Sequence, residues 1–234
     1  MNTYVICTTK SWNITQFHVQ TKGRAGGVGR EFVLITDPRE LTVEYLELLN
    51  PRYVFFPHWS WKVPPEIFER WECVCFHMSD VPYGRGGSPL QNLILEGKEE
   101  TWLVGLQMVH ELDAGPVYCR YHLWLKGSAQ SIYETAAMKV WWAIDRIIRD
   151  NPTPVPQSGY VKVFERRKPH QSELFMDGKK TPKEVYDHIR MLDADTYPRA
   201  FLRVEGYHME LSEAKLNRDD TVTCQVTMRE MVGA

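Results

Sequence analysis

Short continuous apolar runs alternate with amphipathic stretches through the first 150 residues. TYVICT (3–8), EFVLIT (31–36), YVFFPHW (53–59), CVCFHMS (73–79), LVGLQMV (103–109) and VYCRYHLWL (117–125) are bounded by turn-forming residues, the pattern of strands buried on both faces. Between them, 40–50 places Leu41, Tyr45, Leu48 and Leu49 on one side of a short helix. The prolines at 64 and 65 open another helix over 66–71, and 89–97 is a third, closed by glycine. GRAGGVG (23–29) reads as a loop, because its glycines do not follow a strand at the spacing of a dinucleotide fingerprint. The longest helix is expected over 128–150, with Ser131 and Glu134 as a capping box. Ile132, Ala136, Val140, Ile144 and Ile147 form its apolar stripe, and Trp141 and Trp142 read as packing residues rather than a stacking platform. The β-α-β alternation indicates an α/β fold with helices on the faces of a sheet.

NPTPVPQSG (151–159) breaks the pattern with three prolines and a glycine, and reads as a linker. Beyond it, YVKVFERR (160–167) alternates as a strand. Thr181-Pro182-Lys183-Glu184 starts a helix reaching about Leu192, and AFLRVEG (200–206) and CQVTMRE (224–230) are further strands. The expected organisation is a domain over 1–150, the linker, and a small module over 160–234.

Charge narrows the range of partners. With 28 basic against 30 acidic residues the formal net charge is −2, which argues against a surface built to coat nucleic acid. The start of the chain has no basic segment followed by an apolar core, and no run approaches the ~18–20 apolar residues that span a bilayer. Five cysteines, an odd number set mostly in strand-like segments, fit buried reduced thiols. A cytoplasmic setting without a membrane partner is expected.

The chemistry concentrates between Cys73 and Gly115. On a strand, Cys75 and His77 share one face and project together at its C-terminal end, where open α/β sheets place ligands. The turn after them is rich in glycine and proline, and Ser88-Pro89 opens a helix whose free N–H groups suit an anion. A histidine there, with an acid brought alongside by the next strand, is a general-base arrangement. Three other readings stay open on the residues alone: a buried, satisfied pair, a Cys-x-Cys-x-His metal site, and a Cys-His nucleophile.

The run Cys75-Phe76-His77-Met78-Ser79-Asp80-Val81-Pro82-Tyr83-Gly84-Arg85-Gly86-Gly87-Ser88-Pro89, with Leu112-Asp113-Ala114-Gly115, resembles the signature of the folate-dependent formyltransferases. That group includes methionyl-tRNA, glycinamide ribonucleotide and sugar N-formyltransferases. Its pattern is Asn-x-His, Ser-x-x-Pro, Arg-Gly and Pro, then Leu-Asp-x-Gly. His77 and Asp113, 36 residues apart, fall on its catalytic histidine and aspartate. The resemblance covers about 30–150 and implies a Rossmann-like formyltransferase domain with a mixed, mostly parallel sheet, followed by a small α+β module. It implies 10-formyltetrahydrofolate as co-substrate and no metal.

It also implies roles. Catalytic work falls to His77, Asp113 and Cys75. Cys75 stands where the family has an asparagine that donates to the formyl oxygen, and a thiol is the weaker donor. Trp102 and Val104 replace a usual glycine and threonine. The folate slot falls on Trp59, Ser60, Trp61 and Lys62, with Met108 and Leu112 on the approach to the aspartate. Ser79, Tyr83, Arg85, Gly86, Gly87, Arg166 and Arg167 fall on the acceptor side.

Three C-terminal runs, 164–169, 185–190 and 197–201, resemble the end of sugar N-formyltransferases, and the wording around His77 resembles those of the pseudaminic-acid type. The expected acceptor is therefore the amine of a nucleotide-linked amino sugar, with small-molecule partners, no nucleic acid, and homo-oligomerisation left open. The alternatives are a methionyl-tRNA or purine-intermediate formyltransferase, or a non-catalytic sugar-nucleotide-binding paralogue.

Overall fold

The computed structural model describes residues 1–22, 29–176, 178–195 and 197–231; apart from Gly29, the loop expected over 23–29 lies outside the described residues. In chain order the elements begin β1 (Asn2–Cys7), α1 (Ser11–Lys22), β2 (Arg30–Ile35), α2 (Val43–Leu49), β3 (Tyr53–Pro57), α3 (Pro65–Phe68) and β4 (Cys73–His77). Then come β5 (Tyr83–Gly86), α4 (Pro89–Leu95), β6 (Glu100–Gln107), β7 (Val117–Trp124) and α5 (Ala129–Asp150). The remainder are β8 (Lys162–Phe164), α6 (Pro182–Arg190), β9 (Ala200–Val204), β10 (Tyr207–Leu216) and β11 (Val222–Glu230).

The chain divides into two compact units. The first comprises Met1–Gly86, Thr101–Leu123 and Glu134–Val163. Its sheet has the order β2-β1-β3-β4-β6-β7. The ladders β1–β2, β1–β3 and β3–β4 are parallel, and β4–β6 is antiparallel. This is the mixed, mostly parallel α/β sheet expected. Because β1 is flanked by β2 on one side and β3 on the other, the strand order reverses there, and the crevice beyond those strand ends is where such sheets bind ligands.

Two expectations for this unit need correction. The helix expected over 40–50 is a 3-10 turn at Pro38–Glu40 followed by α2, because the Thr42 hydroxyl accepts from Tyr45 N at 3.1 Å and caps the helix there. Its buried residue is Leu46, whereas Leu48 is 81% exposed. The cap of α5 is Ser128, whose Oγ accepts from Ser131 N at 3.3 Å, so the helix begins before the capping box read at Ser131 and Glu134. The α5 stripe is buried as expected, and Trp141 packs with Phe17 and Phe32, ring centroids 6.1 and 5.6 Å away. Trp142 is instead 54% exposed.

Helix α1 was not anticipated. Its β-branched residues Ile14, Thr15, Val19 and Thr21 are weak helix formers, and it has no clear apolar stripe. Tertiary burial of Trp12 and Phe17, and an Asn13 amide donating to Pro57 O at 3.3 Å, override that preference. The segment read as a linker, 151–159, lies in this unit. Val155 exchanges backbone hydrogen bonds of 2.9 and 2.8 Å with Val117.

The second unit comprises Gly87–Glu100, Trp124–Tyr133 and Phe164–Ala234. Antiparallel strands β9, β10 and β11, in the order β11-β10-β9, form its sheet. Helix α6 starts with the capping box read from Thr181 and Glu184. It buries Arg190, whose guanidinium donates to Asp187 at 2.6 Å and to the carbonyls of Leu125 and Gly127 at 2.7 and 2.9 Å. The middle strand β10 was missed because glutamates interrupt its alternation and a bulge shifts its register between Ser212 and Lys215.

His188 of α6 is buried, with Nε2 3.2 Å from Ser172 O. Burial, helped by the charges of Arg167 and Lys180, lowers its pKa below the ordinary histidine value. The folded protein therefore prefers the neutral ring. Its contribution is complete above about pH 6.5, the unfolded value, and is lost as pH falls below it. Urea midpoints measured at about pH 7.5 and pH 5 are expected to drop more for the wild type than for His188→Gln. Equal drops would show that this ionisation is not coupled to folding.

Candidate active site

The His77 centre belongs to the first unit and is built at the C-terminal end of β4. His77 is the last residue of that strand, and its side chain is 8% exposed. Its Nε2 lies 2.7 Å from Gly84 O, which also accepts from the fully buried Ser79 hydroxyl at 2.9 Å. A carbonyl only accepts, so Nε2 carries a proton, and Nδ1 is the ring nitrogen left to exchange one. Nδ1 faces Asp113 Oδ2 at 3.5 Å. The structure thus brings His77, Ser79 and Asp113 together.

Asp113 is held from three directions. Its Oδ2 accepts from Gly86 N at 2.9 Å, its backbone sits at a left-handed φ of 54°, and its carbonyl accepts from the Gln157 amide at 2.8 Å. The same amide donates to Gly115 O at 2.8 Å. Gly115 is required by space, since a Cβ there would stand 1.8 Å from Gln107 O. Arg85 completes the brace, donating through Nε and Nη2 to Gln157 Oε1 at 3.0 and 2.9 Å and through Nη1 to Glu111 at 2.9 Å. Gln157 had no place in the sequence reading. It sits in the proline-rich 151–159 segment, and its only signal was a lone amide among prolines.

Cys75 is partly buried and lies between Phe56 of β3 and Leu106 of β6 in the ladder register. Burial, then the charge of Asp113, pushes its thiol well above the ordinary cysteine range. That direction disfavours the thiolate and so runs against the Cys-His nucleophile reading. Cys73 is buried and shifted upward by the same cause, and no cluster of three or more metal-ligating side chains occurs among the described residues.

Of the residues expected at the folate slot, Trp59 packs on the core beside Phe56, and its buried Nε1 finds no hydrogen-bond partner among the described residues. Trp61 lies 5.2 Å from the Trp59 ring and is 46% exposed; Ser60 is half-buried and Lys62 exposed. Met108 packs on the same core cluster as Trp59, and Leu112 is 71% exposed.

The acceptor-side residues separate. Tyr83 accepts from Lys162 Nζ at 3.3 Å, and Gly86 serves Asp113. Gly87, Arg166 and Arg167 belong to the second unit. A Cβ on Gly87 would lie 2.5 Å from Arg166 Cα, and Arg167 N donates to Ser88 Oγ at 3.2 Å.

Comparison with known proteins follows the same lines. A family model for the methionyl-tRNA formyltransferase C-terminal domain matches residues 169–229. A methionyl-tRNA formyltransferase of Bacillus mycoides is 30% identical over 166 residues, 68% of this chain and 52% of that protein, so the chain spans about half the length of the curated relatives it matches. The solved structure of a methionyl-tRNA formyltransferase from Clostridium thermocellum is 39% identical, covers 98% of this chain and 100% of its own, and superposes with a TM-score of 0.93. A sugar N-formyltransferase from Shewanella is 14% identical, covers 99% of both chains, and has a TM-score of 0.69, a likeness of fold alone.

These findings overturn the expected sugar acceptor. The C-terminal runs that suggested it are structural: Arg190 ties α6 to the Leu125 and Gly127 carbonyls, and Tyr197 and Arg167 both bond to the Ser88 hydroxyl. These contacts are intramolecular and identify no acceptor. With an end-to-end relative at 39% identity, the chain belongs to the formyltransferase family that contains the methionyl-tRNA formyltransferases.

Proposed function

We propose that this chain moves a formyl group from 10-formyltetrahydrofolate to the amine of methionyl-tRNA. The observation carrying this reading is the end-to-end likeness to a methionyl-tRNA formyltransferase at 39% identity, joined to the His77–Asp113 pair at 3.5 Å. The family's donor is the folate.

In this reading the acceptor amine attacks the formyl carbon. The new C–N bond forms as the carbonyl becomes an oxyanion, and collapse breaks the bond to the folate N10. One proton leaves the attacking amine and one arrives at N10, so none is consumed. His77 carries or donates that proton through Nδ1 and stabilises the oxyanion, while Asp113 balances the imidazolium charge; the 3.5 Å approach of Nδ1 to Asp113 supports these roles. Cys75, kept as a neutral thiol, occupies the position of an oxyanion donor and fills it weakly.

Incubation with 10-formyltetrahydrofolate and methionyl-tRNA, ester hydrolysis and mass spectrometry should release N-formylmethionine. His77→Ala and Asp113→Ala should each lower the rate by roughly 10²–10⁴ while circular dichroism stays native. Near-normal turnover in either variant would sink the assigned roles. Gln157→Ala, which unties the Asp113 loop without touching either group, should lower kcat about tenfold or more while leaving the folate KM near its original value. An unchanged kcat would make the brace irrelevant to the chemistry. Cys75→Asn should equal or exceed the wild-type rate; loss of activity would mean the thiol has a function of its own.

A further inference from the structure

One polar cluster of the first unit stands apart from the reacting groups: Glu72, Gln107 and Tyr118. Glu72 directly precedes β4, Gln107 is the last residue of β6, and Tyr118 lies at the start of β7. The segment 108–116 between those two strands is the loop that presents Asp113 to His77.

A single oxygen joins all three side chains. Glu72 Oε1 accepts from the Gln107 amide at 3.0 Å and from the Tyr118 hydroxyl. Both stems of the loop are therefore tied to one carboxylate, anchored beside the strand that ends in His77. Backbone bonds close the same corner. Gln107 N donates to Pro116 O and Met108 N to Cys73 O, each at 2.9 Å. Gly115 approaches Gln107 O so closely that no Cβ fits between them. A displacement of Gln107 is thus passed by contact to Gly115, two residues from Asp113.

The tie is built into the sheet rather than laid on its surface. Tyr118 is 8% exposed, and burial, then its bond to Glu72, raises its pKa above the ordinary tyrosine value. The phenol stays neutral and donates, and a buried hydroxyl without an acceptor is destabilising. Strands β4, β6 and β7 are already neighbours in the ladder, so pairing of the sheet does not require Glu72. What its carboxylate adds is the spacing of the two loop stems. That spacing matters because Asp113 stands 3.5 Å from His77 Nδ1, at the limit of hydrogen-bond reach.

We propose that Glu72 is a positioning residue for Asp113: by holding Gln107 and Tyr118 on one oxygen, it fixes the loop that sets the acid beside His77. The proposal rests on the assignment of His77 and Asp113 to formyl transfer. Glu72 bonds to neither of them and acts through the loop stems.

Two variants separate the tie from the bulk of the side chain. Glu72→Gln keeps an acceptor oxygen for both donors, and Glu72→Leu removes it at similar volume. With 10-formyltetrahydrofolate and methionyl-tRNA, Glu72→Leu should lower kcat roughly 10- to 100-fold at an unchanged folate KM, the effect of about 1 Å of misplacement. Glu72→Gln should recover most of that rate. In an Asp113→Ala background, Glu72→Leu should cost no more than about twofold further, because the loop then carries no acid to place. An unchanged kcat, a loss confined to the folate KM, or a full loss in the Asp113→Ala background would overturn the proposal. Amide exchange gives a readout independent of turnover. Gly86 N donates to Asp113 Oδ2, so its exchange should quicken in Glu72→Leu and not in Glu72→Gln. Thr8 N, bonded to Ile35 O across β1 and β2, should keep its rate. Where Glu72→Leu does not fold, Tyr118→Phe, which cuts one of the two ties, is read by the same criteria. If the wild type does not formylate methionyl-tRNA, the acceptor reading fails by itself and the exchange experiment decides. Quickening at Gly86 alone supports the tie, and an equal change at both amides, or none, overturns it.

Discussion

The carbonyl of Gly84 accepts from two side chains at once, His77 Nε2 and Ser79 Oγ. Two lone pairs make that geometry available, and the absence of a proton on a carbonyl decides the tautomer. The ring is held with Nε2 protonated and Nδ1 turned to Asp113. Ser79 is fully buried and needs an acceptor, so it keeps the carbonyl in place as firmly as the histidine does. Gly84 itself sits at φ 80°, where a side chain would strain the turn. The spacing His-x-Ser-x-x-x-x-Gly is thus a closed hydrogen-bonded loop, and the direction of His77 Nδ1 depends on it.

Asp113 depends on a second brace of a different kind. It sits on a loop, and loops lose alignment unless something ties them. Here the ties come from far away in sequence: Gln157 reaches its carbonyl, Arg85 reaches Gln157, and Gly86 N reaches its carboxylate. Arg85 and Gly86 were read from the sequence as contacts for an acceptor. In the folded chain Gly86 N donates to the Asp113 carboxylate, and Arg85 holds Gln157, which ties the Asp113 carbonyl. The Arg85 guanidinium is bonded to Gln157 and paired with Glu111.

What the sequence made legible follows from how local each signal was. Strand positions in the sheet, the α5 stripe and the Thr181 cap rest on neighbours within one element, and all appear in the structure. His77 and Asp113 could be paired only because a spaced pattern resembled a known family; periodicity alone placed one of them on a strand end. Helix α1 and strand β10 were invisible because their stability comes from partners elsewhere: Asn13 on Pro57, and β9 and β11 on either side of β10. Gln157 was hidden for the same reason. The acceptor was misjudged where scaffold residues such as Arg190 and Tyr197 were taken as marks of specificity.

The near-zero charge balance was the other reason for setting RNA aside, and it uses the wrong quantity. Screening limits the reach of a charge to about 8–10 Å at physiological salt, so a phosphate responds to its immediate surface and not to a sum over 234 residues. Around the His77 loop Arg120 is paired with Asp80 and Arg85 with Glu111. Recognition by stacking and edge contacts, with few uncompensated cations, is how a single-stranded end can be read without a basic coat. It also predicts weak salt dependence of acceptor affinity, because few counterions are released when few phosphates are neutralised. An acceptor KM that rose only a few-fold between about 50 and 200 mM salt would fit such a mode. A rise of three or more decades would instead mean that phosphate contacts dominate binding.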